Sequence, residues 1–424
     1  MIYLCRKNAY RRKDNVTERK IAMSLNPQQI AEGLMSAVFF RNACRQPILS
    51  KFEKFILCLC EETDKMKKIT AYSDFVSEVY ASGGDFGKSL ADILECDDNV
   101  YARMKAAGKI IPENMTDCFI SELKFFSSLT EIDCHDLIKT AAIPESTAKF
   151  DNTRFDFCST IPARLAECAK YGYGMYARYG MFRVGPDGKL LPVLSPDTVE
   201  LSSLIGYEAE RKQVVDNTVA LLEGKPAVNV LLCGDAGTGK SSTVKAVANR
   251  FRPDGVRLIE LRKDQLALLP EVMGEIAENP LKFIIFVDDL SFACDDDGFG
   301  ALKAALEGSA SAKASNAVIY ATSNRRHLVK ETFSSRLGDD VHRNDTMEEL
   351  MSLSERFGLT VLFSKPKKEL YMQIVTALVK ENGIEMDPKE LELKAEAFAL
   401  AKGGRSARVA GQFADSLLTQ EMGK

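Results

Sequence analysis

Two stretches of this chain combine the residue types that handle phosphate and a divalent cation. GDAGTGKS (Gly234 to Ser241) fits the pattern G-x-x-x-x-G-K-[ST] in full, between an apolar run and a helical segment. Gly234, Gly237 and Gly239 let backbone N–H groups point inward, where side chains would block an anion. Asp235, Ala236 and Thr238 complete the loop, and Lys240 has the length to reach terminal phosphates. The helix start that follows, with Ser242 in its first turn, adds partial positive charge. The Ser241 hydroxyl suits one ligand position of Mg2+. The second stretch is FIIFVDDLSF (Phe283 to Phe292), an apolar run that ends in two adjacent acids. Asp288 is expected to hold Mg2+, and Asp289 either orients an attacking water or caps the helix that follows. The cofactors implied are ATP and Mg2+.

Such residues need strand ends to hold them. From about Leu204 short, nearly continuous apolar runs alternate with helical segments: VNVLLC (228–233), VRLIEL (256–261), KFIIFVDD (282–289), AVIYATS (317–323) and LTVLF (359–363). Runs of this kind read as parallel strands buried on both faces, so an α/β fold with a five-stranded parallel sheet is expected over 204–365. Asn324, at the tip of AVIYATSN, is a polar residue able to hydrogen-bond water or the γ-phosphate. After Lys365-Pro366 the chain turns helical, giving a helical domain over 366–424.

The earlier part of the chain differs. Residues 24–170 read as an α-helical N-terminal domain, with Phe52, Phe55, Ile56 and Leu59, then Tyr72, Phe75, Val76 and Val79, at helical spacing, and Gly83-Gly84 as a stop. Met181–Val184 and Lys189–Val193 flank a GPDG turn and read as a hairpin, within a hairpin-and-linker segment over 171–203. Tyr173, Tyr176, Arg178 and Tyr179 either stack on nucleic-acid bases or pack a domain junction. Residues 1–23 form a basic flexible tail without the apolar core of a signal peptide, and Met23 is an alternative start.

Composition narrows the partners. The net charge is −4, which gives no global attraction for nucleic acid. No apolar stretch is long enough to span a membrane, so no membrane partner and a cytoplasmic location are expected. The 11 cysteines lack CxxC spacing, so buried thiols are expected and zinc is not. Cys294-Asp295-Asp296-Asp297 reads as solvated surface in preference to a second metal site.

Together these residues resemble the AAA+ superfamily of ring-forming P-loop ATPases over about 204–420. LIGYE, LLCGDAGTGKSS, KFIIFVDDLSF, ALKAALEG and YATSNRRHL resemble, more narrowly, an uncharacterised bacterial family of predicted AAA+ ATP-binding proteins with a helical N-terminal domain. The resemblance implies the five-stranded core followed by a helical lid. It also implies that Ile205, Gly206 and Tyr207 cradle adenine and that Asn324 is the first sensor. Arg356 matches the arginine finger, with Arg336 as a rival. Arg408 matches the sensor arginine of the lid, with Arg405 as the alternative.

The function expected is an ATPase that slowly hydrolyses Mg-ATP at interfaces of a homo-oligomer, with Asp289, Asn324, Arg356 and Arg408 as catalytic residues. It would remodel or load a protein or nucleic-acid client. The segment RKDQLALLPEVMGEIAENP holds no aromatic residue, which argues against a pore loop of the protein-unfolding kind. The second reading is a slow or non-hydrolysing ATP switch that engages a protein partner through its helical domain. A small-molecule kinase is the weakest, since no acceptor-binding motif stands out.

Overall fold

The computed structural model describes residues 26–61, 63–290, 302, 306, 315–324 and 356–422. The basic tail, Cys294 to Asp297, Arg325, Arg326, His327 and Arg336 lie outside the described residues. So does the segment that Asp289 would cap.

The chain divides into two compact units. The first comprises the described parts of 1–38, 44–89 and 125–155. It is helical, and its aromatic residues form its core. In the helix Pro47–Cys60, Ile48, Leu49, Phe52, Phe55 and Ile56 are buried; in Lys65–Ala81, Tyr72, Phe75, Val76 and Val79 are. Phe52 and Phe75 meet at 4.9 Å, and Phe75 meets Phe86 edge-on at 5.2 Å. Asp64 caps the second helix by accepting from the Met66 amide.

One buried carboxylate ties this unit together. Asp85 accepts from the Thr153 hydroxyl at 2.5 Å, the Thr153 amide at 3.0 Å and the Lys88 amide at 3.1 Å. Burial pushes its pKa up, but the Thr153 and Lys88 hydrogen bonds outweigh that and hold it at about 2. A depressed carboxylate pKa gives stability that is present above the unfolded value of about 3.9 and lost as pH falls through about 2. Asp85→Asn is therefore expected to destabilise the protein by about 2–3 kcal/mol at pH 7. Denaturant titrations should show the gap to wild type narrowing below about pH 4.

The second unit comprises 39–43, 90–124 and the described parts of 156–424. Its centre is one seven-stranded sheet made of β1 (Met181–Val184), β2 (Leu190–Pro192), β3 (Val230–Gly234), β4 (Val256–Glu260), β5 (Lys282–Val287), β6 (Ala317–Ser323) and β7 (Leu359–Phe363). The order is β2-β1-β4-β5-β6-β3-β7, and every pairing is parallel except β1–β2. The apolar runs are explained by burial on both faces. Phe283, Ile285 and Val287 pack on one side with Ile259, Leu231 and Ile319. Ile284 and Phe286 pack on the other with Leu258, Leu232 and Tyr320. Helices Glu208–Leu222 and Lys240–Phe251 cover that second side through Val214, Leu221, Val244 and Val247.

The five expected parallel strands are present, but the count of five is too low. The hairpin read as part of a linker joins the sheet, with β1 paired in parallel to β4 through Met181↔Leu258. Phe182 and Val184 bury on one face and Met181 on the other, so β1 is covered on both faces and shields the β4 edge. Tyr176 is buried between Phe182 and Phe283, so it serves as packing and is not exposed for base stacking.

Three helices follow the sheet: Lys368–Glu381, Pro388–Ala401 and Ala407–Met422. Tyr371, Val375, Ala395, Ala410 and Phe413 form their shared core, and Ile205 packs against it. No described helix is long and apolar enough to cross a membrane.

Candidate functional site

The P-loop leaves β3 at its C-terminal end. Gly234 has φ +138°, and a Cβ there would lie 2.0 Å from the Phe363 carbonyl oxygen on β7. Only glycine lets the two strand ends come this close. Gly239 has φ +89° and turns the chain into the helix that begins at Lys240. The Lys240 ammonium is buried and donates to the carbonyls of Gly234 at 3.0 Å and Asp235 at 2.7 Å, and to Asn324 Oδ1 at 2.9 Å. Burial lowers its pKa, against the opposing charges of Asp235, Asp288 and Asp289.

The acid pair stands at the adjacent strand ends. Ser241 donates to Asp288 Oδ1 at 2.6 Å. Asn324 Nδ2 donates to Asp289 Oδ1 at 2.7 Å, so Asn324 joins Lys240 to Asp289. Asp289 adopts φ +51°, an uncommon conformation for a residue other than glycine. The turn is held by Thr322. Its hydroxyl donates to Asp288 Oδ1 at 2.5 Å and accepts from the Asp289 amide at 2.9 Å, and its carbonyl accepts from the Leu290 amide at 2.6 Å. Thus Lys240, Ser241, Asp288, Asp289 and Asn324 converge as expected from their strand positions. Thr322 is the residue the sequence reading missed. The signal was available: it lies two residues before Asn324, on the same side of β6 by strand periodicity.

The helical lid meets the loop directly. The Arg408 amide donates to the Gly237 carbonyl at 3.1 Å, which sets Arg408, with an exposed side chain, at the start of the last lid helix beside the P-loop. Arg405 is instead engaged inside the lid, gripping Glu396 with bonds of 2.8 and 2.6 Å. A Cβ on Gly206 would lie 2.3 Å from Leu370 of the lid. Tyr207 turns inward. Its ring packs at 5.3 Å from Phe363 and its hydroxyl donates to the Ser364 carbonyl at 2.6 Å.

Arg356 is not part of this convergence. It precedes β7, whose first residue, Leu359, pairs with Val230 at the start of the P-loop strand. The length of β3, roughly 13 Å, separates that sheet end from Gly234.

The donor set suits a Mg-nucleotide. A glycine-rich loop at a helix start, a buried lysine and a hydroxyl–carboxylate pair at one strand end supply the groups that phosphates and a hard cation take. Residues 177–421 match the model of a family described as "Protein of unknown function (DUF815)". The chain belongs to this DUF815 family. No curated protein matches it. Among solved structures, the Thermotoga maritima RuvB Holliday junction branch migration motor aligns with TM-score 0.33 and 15% identity, covering 51% of this chain and 63% of that one. A variant of the same RuvB aligns with TM-score 0.34 and 16% identity over the same shares. The DUF815 chain thus covers less than two thirds of the RuvB chain. Its sheet, with the P-loop strand between β6 and β7, and the lid against the P-loop form a P-loop α/β fold with a C-terminal helical lid.

Proposed function

We propose that this DUF815 protein binds Mg-ATP in the P-loop and slowly hydrolyses it at interfaces between copies of itself, in the cytoplasm, to remodel or load a macromolecular partner. The observation that carries the reading is the linked set Ser241–Asp288 and Lys240–Asn324–Asp289 at neighbouring strand ends. The Lys240 ammonium exchanges loop carbonyls for β- and γ-phosphate oxygens. Ser241 and Asp288 would hold Mg2+, which when bound would neutralise charge on the phosphates. Asp289 and Asn324 orient water for in-line attack on the γ-phosphate. Arg408, beside Gly237, and Arg356 from a neighbouring copy stabilise the charge that spreads in the transition state.

Single-turnover hydrolysis of bound ATP tests this. Release of phosphate with Mg2+ present, abolished by Asp289→Asn with ATP still bound, supports the ATPase. ATP that stays intact for hours favours the second reading, a nucleotide-set switch that engages a protein partner. That alternative draws on Asp289: this acid is already engaged by Asn324 and stands in a left-handed turn.

Thr322 gives a finer expectation. Valine keeps the shape but removes the hydroxyl that braces Asp288. Thr322→Val should weaken apparent Mg2+ affinity by about 10–100-fold, read as a rightward shift of the Mg2+ titration of ATPase rate.

A further inference from the structure

We infer that Asp235 is a positioning residue that couples occupation of the P-loop to the setting of the lid, an inference that rests on the nucleotide reading above. The second residue of the phosphate loop carries a carboxylate. Asp235 Oδ2 accepts from the Lys365 amide at 3.0 Å. Lys365 lies between β7, which ends at Phe363, and the first lid helix, which starts at Lys368. The Asp235 amide donates back to the Phe363 carbonyl at 3.3 Å. One loop residue therefore grips the hinge at two points, just where the chain passes from sheet to lid.

The same residue touches the group that must respond to phosphate. Its carbonyl accepts from the Lys240 ammonium at 2.7 Å and from the Thr238 hydroxyl at 2.9 Å. When Lys240 turns to phosphate oxygens, it releases or shares the Asp235 carbonyl, so the 235 peptide loses one of the two bonds that fix it and keeps the Thr238 hydroxyl. Two residues on, the Gly237 carbonyl holds the Arg408 amide of the last lid helix. A Cβ on Gly237 would lie 3.1 Å from Ser406 Oγ and from Arg408 Cβ, so the loop has little room to move without moving the lid.

Pro366, buried and fixed in φ, follows Lys365 and stiffens the far side of the hinge. A shift at Lys365 is thus passed into the lid helices and not absorbed by a slack linker. Asp235 also places a negative charge in a loop built for anions, a local cost that a hinge contact offsets.

The test separates the hydrogen bond from the charge and from the site itself. In the full-length protein, hydrogen exchange at 363–370 is followed with and without Mg-ATP, and ATP binding and turnover are measured alongside. Wild type is expected to show a hinge exchange change on adding Mg-ATP. Asp235→Ala should still bind ATP but lose that change, with kcat down by at least about fivefold. Asp235→Asn keeps an acceptor without the charge and should restore most of the response. If Asp235→Ala binds ATP and its hinge responds as in wild type, the coupling is overturned. If Asp235→Asn behaves like alanine, the hydrogen bond is not the coupling element and the inference also falls. Wild type that fails to bind Mg-ATP would overturn the nucleotide reading, and this inference with it.

Discussion

Arg356→Ala is expected to lower ATP turnover per subunit by about 10³-fold or more at protein concentrations where copies associate, while leaving ATP affinity nearly unchanged. The argument is positional. Arg356 precedes β7, and β7 enters the sheet beside the beginning of the P-loop strand, at Val230. The phosphate loop leaves the other end of β3, at Gly234. An arginine at that remote end does not serve its own P-loop. If it acts on a γ-phosphate, that phosphate is bound to another copy.

This makes the effect conditional on assembly. Wild-type turnover per subunit should rise with protein concentration, and the alanine variant should follow a flat, low line. Arg356→Lys should recover little, because an ammonium lacks the planar fork that spans two phosphate oxygens. Mixing the variant with a Lys240→Ala chain is the sharpest version. Each chain supplies what the other lacks, so partial activity should return in mixed assemblies. Concentration-independent wild-type turnover would remove the interface from the mechanism.

The sequence made the sheet legible because burial on both faces leaves no polar alternation: FIIFV and VLLC admit few residues other than apolar ones. Gly234, Lys240, Ser241, Asp288 and Asn324 were legible because each stands at a strand end or loop position fixed by backbone geometry. What the sequence hid were pairings over long distance. Met181–Val184 reads as a local hairpin, and nothing within it tells that its other edge meets Val256–Glu260, more than 70 residues later. Thr322 was hidden by its own propensity, since threonine suits a strand whether or not its hydroxyl is used. Tyr207 shows a different limit. The resemblance implies that it lies near adenine, but only tertiary packing reveals that its ring is taken by Phe363 and its hydroxyl by Ser364.

Gly234→Ala should be a severely damaging single-methyl change, and Gly239→Ala is its control. Both glycines have positive φ, +138° and +89°, so both substitutions strain the backbone. That strain alone costs on the order of 1–3 kcal/mol. The difference lies in what the new Cβ meets. At Gly239 nothing stands within 4 Å. At Gly234 the Phe363 carbonyl oxygen is 2.0 Å away and the carbonyl carbon 2.7 Å. These are backbone atoms of the neighbouring strand, so no side-chain rotation relieves the overlap; β3 and β7 must part. Parting them also pulls the Asp235 amide from Phe363 and the Asp235 carboxylate from Lys365, the two contacts that join the loop to the lid hinge. Gly234→Ala is therefore expected to lose more than about 4 kcal/mol of stability, against the smaller strain term for Gly239→Ala. Thermal unfolding of the two variants side by side, without nucleotide, measures the gap. Equal midpoints would mean that β7 does not press on the P-loop, and that the close strand approach is not what requires glycine at 234.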